Sequence, residues 1–179
     1  EPGTMDHAMY GADILFGPEQ MIRRFVKDSS FDQLICVAIA KHSDFKLEGI
    51  EDKRTLLHAR LIRDADKLDN CRVKLEESME TLLDMDEKTV GASPISPKVW
   101  ESCKAEESVL SADRKTGMDY WMSYLALYFD INFLETYQII KEQDYIRRIA
   151  ERVPYSREDT KEKVAYTVKK LEEKMNIQP

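Results

Sequence analysis

The chain has 179 residues, room for one domain or for one domain with a helical appendage, and 42% of them are hydrophobic, enough for a sizeable core. Basic residues number 27 and acidic residues 34, a net charge of −7, which argues against nonspecific nucleic-acid binding because neutralising phosphates takes clustered Lys and Arg; a locally basic pocket for a small phosphorylated ligand is still compatible with this balance. Six Gly and six Pro are few for the turns of an all-β protein of this length, while Leu, Glu, Lys, Met and Ala favour helix, so the expected fold class is all-α.

In chain order, Ala8, Gly11, Ala12, Leu15 and Phe16 follow helical spacing after His7, and Gly17-Pro18 ends that segment. A short helix is expected through Met21, Ile22, Phe25 and Val26, and a buried helix over Phe31 to Lys41, with Asp32 placed to suit its dipole. Residues 45 to 53 break the pattern, with Gly49 in a loop. From Thr55 the apolar residues Leu57, Leu61, Ile62, Ala65, Leu68, Val73, Leu75, Met79 and Leu82 recur at steps of mostly three and four, predicting one long helix that ends before Asp86. Two prolines make 91–97 the clearest linker, dividing a core over 1–90 from a helical extension over 91–179 packed on it. Pro97 suits the start of a helix running from Val99 to Ser108. The aromatic-rich stretch Thr116 to Phe129 is expected to be core rather than a base-stacking platform. Phe133 to Val153 reads as one helix stopped by Pro154, and Ser156 with Asp159 resembles a capping box. The last helix, Arg157 to Met175, carries an apolar stripe of Val164, Ala165, Val168, Leu171 and Met175.

Cys36, Cys71 and Cys103 are odd in number, widely spaced and without a CxxC pair, which fits neither a disulfide framework nor a zinc-thiolate site. Buried, reduced thiols are expected at Cys36 and Cys71. The longest apolar stretch, Leu34 to Ala40, is too short to span a bilayer. No signal peptide is visible, residues are expected upstream of Glu1, and a cytoplasmic location is the default expectation.

Three segments bear on chemistry. His7 stands in Asp6-His7-Ala8-Met9-Tyr10-Gly11-Ala12, where Gly11, costly inside a helix, either allows close backbone approach or is a plain packing glycine behind a capping Asp6. His42 closes the apolar run 38–42, where it can sit at the helix C-terminus for the dipole or offer a neutral imidazole to a metal. The segment Arg60-Leu61-Ile62-Arg63-Asp64-Ala65-Asp66-Lys67-Leu68-Asp69-Asn70 crowds charges onto a helix, with Arg63, Asp66 and Asn70 on one face. An ordinary solvated face has the same look, but Asp66 lies at the edge of the apolar stripe, where a partly buried carboxylate needs a cation. His58 is left structural.

The ordered set Asp6-His7-Ala8…Gly11-Ala12…Leu15, then Ala38-Ile39…His42, then Ile62-Arg63-Asp64-Ala65-Asp66-Lys67-Leu68-Asp69 resembles the HD superfamily of metal-dependent phosphohydrolases, and looks closest to a bacterial group of small HD proteins. Arg114-Lys115-Thr116…Asp119 and 128–133 extend the resemblance over nearly the whole chain. It implies an HD-like helical bundle with additional C-terminal helices and a metal held by one His, a His-Asp dyad and a distant Asp. Asp66 matches that Asp. His7 and His42 match histidines that contact a second metal or the substrate phosphate, and Lys67, Asp69 and Asn70 match positions lining the pocket. No His-Asp dipeptide occurs in the sequence; the first His and the dyad are expected in residues before Glu1, the alternatives being a natural truncation or a partner that supplies those helices.

The implied activity is hydrolysis of a phosphomonoester or phosphodiester, a nucleotide among the candidates, with one or two divalent ions of Mn, Fe, Co, Ni or Zn, which mixed nitrogen and oxygen ligation suits better than Ca. Asp66, His7 and His42 are the expected catalytic and metal-binding residues, and Lys67, Asp69 and Asn70 the expected substrate-binding ones. The expected partner is a small phosphorylated substrate, with no nucleic acid and no membrane, and self-association through the amphipathic last helix is open. The competing reading is a non-catalytic HD-like scaffold whose carboxylates merely pair with Arg60, Arg63 and Lys67.

Overall fold

Ten α-helices joined by short 3-10 turns, with no strand, make up the described residues, 6–177, of the computed structural model. The all-α expectation holds. The described residues divide into two compact units between Asp66 and Lys67, inside a helix.

In the first unit, α1 (His7–Phe16) begins where the Asp6 side chain accepts from the amides of Ala8 and Met9, satisfying two of the orphan donors of the first turn. A 3-10 turn at Met21–Arg24 replaces the expected short helix, and Arg23 pairs with Asp32 at the start of α2 (Asp32–Lys41). α1 and α2 run antiparallel: His7 meets His42, and Gly11 faces Ile39. The buried residues of these two helices are Ala8, Ala12 and Ala38, small side chains that let the backbones approach. Gly11 is not required for that approach, since a Cβ there would sit 3.8 Å from the Ile39 side chain, an ordinary contact. The loop after α2 turns through Gly49, whose φ of 72° lies in the left-handed region. The Asp52 carboxylate then accepts from the Thr55 amide and hydroxyl, both at 2.7 Å, and opens α3 (Lys53–Glu76).

α3 ends ten residues short of Asp86 because polar side chains claim the backbone there. Ser78 caps α4 (Met79–Leu83), Asp84 takes a left-handed φ of 55°, and Asp86 caps α5 (Glu87–Ala92). The expected linker is a packed corner: Gly91 is buried and Ile95 only 5% exposed, and a Cβ on Gly91 would fall 2.3 Å from the Pro154 carbonyl oxygen. Pro97 starts α6 (Pro97–Lys104).

α7 (Gly117–Ala126) is the centre of the second unit, with eight of its ten residues buried, including Met118, Trp121, Met122 and Leu125. Thr116 and Asp119 form a capping box at its start. Asp119, fully buried, also accepts from the Ser96 amide (2.7 Å) and hydroxyl (2.6 Å) and from the amides of Lys115 and Thr116. These donors hold a buried carboxylate in a structural role. The helix expected over 133–153 is two, α8 (Leu134–Glu142) and α9 (Tyr145–Glu151), separated at Asp144 with a φ of 51°. In α10 (Glu158–Ile177) the buried stripe is Thr160, Val164, Thr167 and Leu171. Ala165, expected in that stripe, is exposed; Thr167 enters the core because its hydroxyl bonds back to the Lys163 carbonyl at 2.9 Å. The capping box expected at Ser156 is not made: its hydroxyl turns toward the Gly91 carbonyl, and Asp159 pairs with Arg157 and Lys163. No helix among the described residues is long and apolar enough to cross a membrane.

Candidate functional site

The antiparallel register of α1 and α2 joins the first residue of one helix to the residue closing the other. His7 and His42 face each other with their Nε2 atoms 3.1 Å apart and their rings edge to face, centroids 5.0 Å apart. His7 is exposed and His42 half-buried, so the pair opens to solvent on one side.

Hydrogen bonding fixes which nitrogen of His42 carries its proton. Nδ1 lies 2.7 Å from the Ile39 carbonyl oxygen, which can only accept, so Nδ1 donates. A neutral His42 then presents its Nε2 lone pair to His7. Donating the far ring nitrogen to a carbonyl is also the usual arrangement of a metal-ligating imidazole. With nitrogen–metal distances of about 2.0–2.1 Å, two donors 3.1 Å apart subtend an angle of about 100° at one ion, between octahedral and tetrahedral values. That spacing is shared by two adjacent ligands of a transition ion and by a hydrogen bond in which the His7 Nε2–H donates to the His42 Nε2. Among the described residues no third His, Cys, Asp or Glu joins them in a group that could hold a metal.

The charged segment of α3 is sorted by helical phase. Ala59, Arg63, Lys67, Cys71 and Lys74 are buried at steps of three and four. Asp64 is 1% exposed. Asp66, expected as a partly buried carboxylate, is exposed, because it lies off that stripe. The inward carboxylate of the segment is Asp64. It lies at the other edge of the stripe, and the phase of Ala59, Arg63 and Lys67 is the signal that separates the two.

Arg63, read from the sequence as sharing a face with Asp66, is buried and reaches to the turn after α2. Its Nη1 donates to the carbonyls of His42 (2.9 Å) and Asp44, and its Nη2 to that of Phe45 (3.0 Å). The buried guanidinium thus satisfies carbonyls left over at a helix C-terminus.

Asp66 closes the first unit and Lys67 opens the second. Of the residues expected to line a substrate pocket, Lys67 is buried and bonded to Asp130, 2.8 Å from its carboxylate. Asp69 is exposed and pairs with Arg72 at 2.9 Å, and Asn70 is half-buried. His58 is half-buried on α3.

The thiols add nothing to the site. Burial pushes Cys71 up to about 11 and Cys103 up to about 12, so both are protonated near neutral pH. Cys36, expected to be buried, is only half-buried, and its pKa too is raised by burial. No protein-family model, curated protein or solved structure matches the chain.

Proposed function

We propose that the chain is a metal-dependent phosphohydrolase acting on a phosphomonoester or phosphodiester, a nucleotide among the candidate substrates. The observation that carries this reading is the His7–His42 pair, two imidazole nitrogens spaced as adjacent ligands of one ion, with the His42 tautomer held by a backbone carbonyl. His7 and His42 would hold the ion. When bound, it supplies Lewis acidity toward a phosphoryl group. His42 orients the site through Ile39, and His7, on the exposed side, meets solvent and substrate.

The test is calorimetric titration of the chain with Zn(II), Mn(II) and Co(II), followed by hydrolysis of p-nitrophenyl phosphate and bis-p-nitrophenyl phosphate with each ion. About one ion per chain is expected, lost in His7→Ala and in His42→Ala with the helical circular dichroism unchanged. Binding and turnover that persist in both variants would overturn the assignment.

A non-catalytic helical scaffold is the second reading. It is favoured by the commitment of Lys67 to Asp130 and of Asp69 to Arg72, and by the absence of a third donor grouped with the pair among the described residues. A folded chain that binds none of the three ions would select it.

A further inference from the structure

His42 closes α2. Its own amide reaches the Ile39 carbonyl only at 3.4 Å, a long bond for the last turn of a helix. Yet its ring is fixed on both sides, Nδ1 against the Ile39 carbonyl and Nε2 against His7. The turn therefore needs an anchor besides the helix's own hydrogen bonds. Arg63 is placed to be that anchor. Carried on α3 and 6% exposed, it bonds the carbonyls of residues 42, 44 and 45 with two nitrogens of one rigid guanidinium.

We propose that Arg63 is a positioning residue for the histidine pair: by clamping the turn after α2 it keeps the His42 ring with Nδ1–H on Ile39 and Nε2 facing His7. One of the carbonyls it binds belongs to His42 itself, so rotation of that peptide, which would swing the imidazole away, breaks the clamp. The fork matters as well as the charge. A lysine ammonium at this position keeps the favourable charge at the helix C-terminus but is a point donor that cannot hold carbonyls on two separate nitrogens. The consequence for metal affinity rests on the reading of the pair as a metal site; the consequence for the ring tautomer does not.

The test reads the imidazoles directly. Long-range 15N–1H correlation spectra of the unmodified chain, held at a pH where His42 is neutral, should show His42 as the Nδ1–H tautomer. Finding the Nε2–H form overturns the proposal with no variant needed. In Arg63→Lys and Arg63→Gln the spectrum should shift toward a mixture of tautomers while circular dichroism stays helical, and Zn(II) affinity should fall about 10- to 100-fold, the usual effect of losing a residue that orients a ligand. Unchanged tautomer and unchanged affinity in Arg63→Lys overturn the positioning role. An unmodified chain with the Nδ1–H tautomer but no Zn(II) binding sinks the metal reading and leaves the clamp standing.

Discussion

The Lys67 ammonium, buried on α3, lies 2.8 Å from the Asp130 carboxylate and also donates to the backbone carbonyl of the same residue. The Lys67 side chain is 4% exposed and that of Asp130 is 41% exposed. The two ends of the pair therefore differ in what their loss leaves behind. Asp130→Ala takes the carboxylate from a buried ammonium but leaves its bond to the backbone carbonyl, and should cost about 2 kcal/mol. Lys67→Met removes the buried charge, fills similar space and leaves a half-exposed carboxylate that water can solvate, so the cost should be about 1 kcal/mol. Urea unfolding of the two variants measures the order, and equal costs would mean that the pair is effectively solvated.

Asp64 and Asp66 offer a second contrast on the same helix. Two residues apart, one is 1% exposed and the other is open to solvent. Asp64→Ala should cost about 2–3 kcal/mol through the buried interactions it strips, whereas Asp66→Ala should stay within about 1 kcal/mol, as surface charges do. If Asp66→Ala were the costlier change, the phase assigned to α3 would be wrong.

That contrast also shows what the sequence could and could not say. Periodicity over Leu57 to Leu82 located α3 but not its buried face, because exposed Leu57 and Leu61 interleave with buried Arg63, Asp64 and Lys67, and a charged residue counts against burial in any apolar pattern. The breaks at Ser78 and Asp144 escape the pattern for a related reason: each is set by one side-chain cap or one left-handed residue inside a sequence with good helical propensity. The stripe of α10 shifted because Thr160 and Thr167, polar by type, are buried. His7 and His42 were legible as candidates from their local settings. Their meeting depends on the antiparallel register of two alanine-lined helices, a tertiary fact that no local pattern holds.

Two glycines should respond oppositely to the same change. At Gly11 an added methyl meets only the Ile39 side chain at 3.8 Å, and the residue lies inside α1. Gly11→Ala should therefore stabilise the first unit by about 1 kcal/mol through helix propensity alone. At Gly91 the same methyl would sit 2.3 Å from the Pro154 carbonyl, a backbone atom that cannot rotate aside. Gly91→Ala should destabilise the second unit by about 1–3 kcal/mol, the range for overpacked sites. Thermal unfolding followed by helical circular dichroism reads both signs, and destabilisation at Gly11 would restore the close-approach reading.

Acid should weaken the fold through its helix caps. Hydrogen bonds from the Thr55 hydroxyl and amide hold the Asp52 carboxyl below its usual range, and those from Thr89 do the same for Asp86. A carboxyl whose folded pKa lies below its unfolded value contributes stability that is present above the unfolded value, about 3.9 for Asp, and is lost as pH falls through the folded value. The urea midpoint should hold between about pH 6 and pH 5 and then decline through and below the ordinary aspartate range. In a chain carrying both Asp52→Asn and Asp86→Asn, the side-chain oxygen can still accept from the backbone but the titration is gone. Its midpoint should start lower at neutral pH and fall less steeply with acid; parallel acid profiles for the two chains would show that other carboxylates govern the loss.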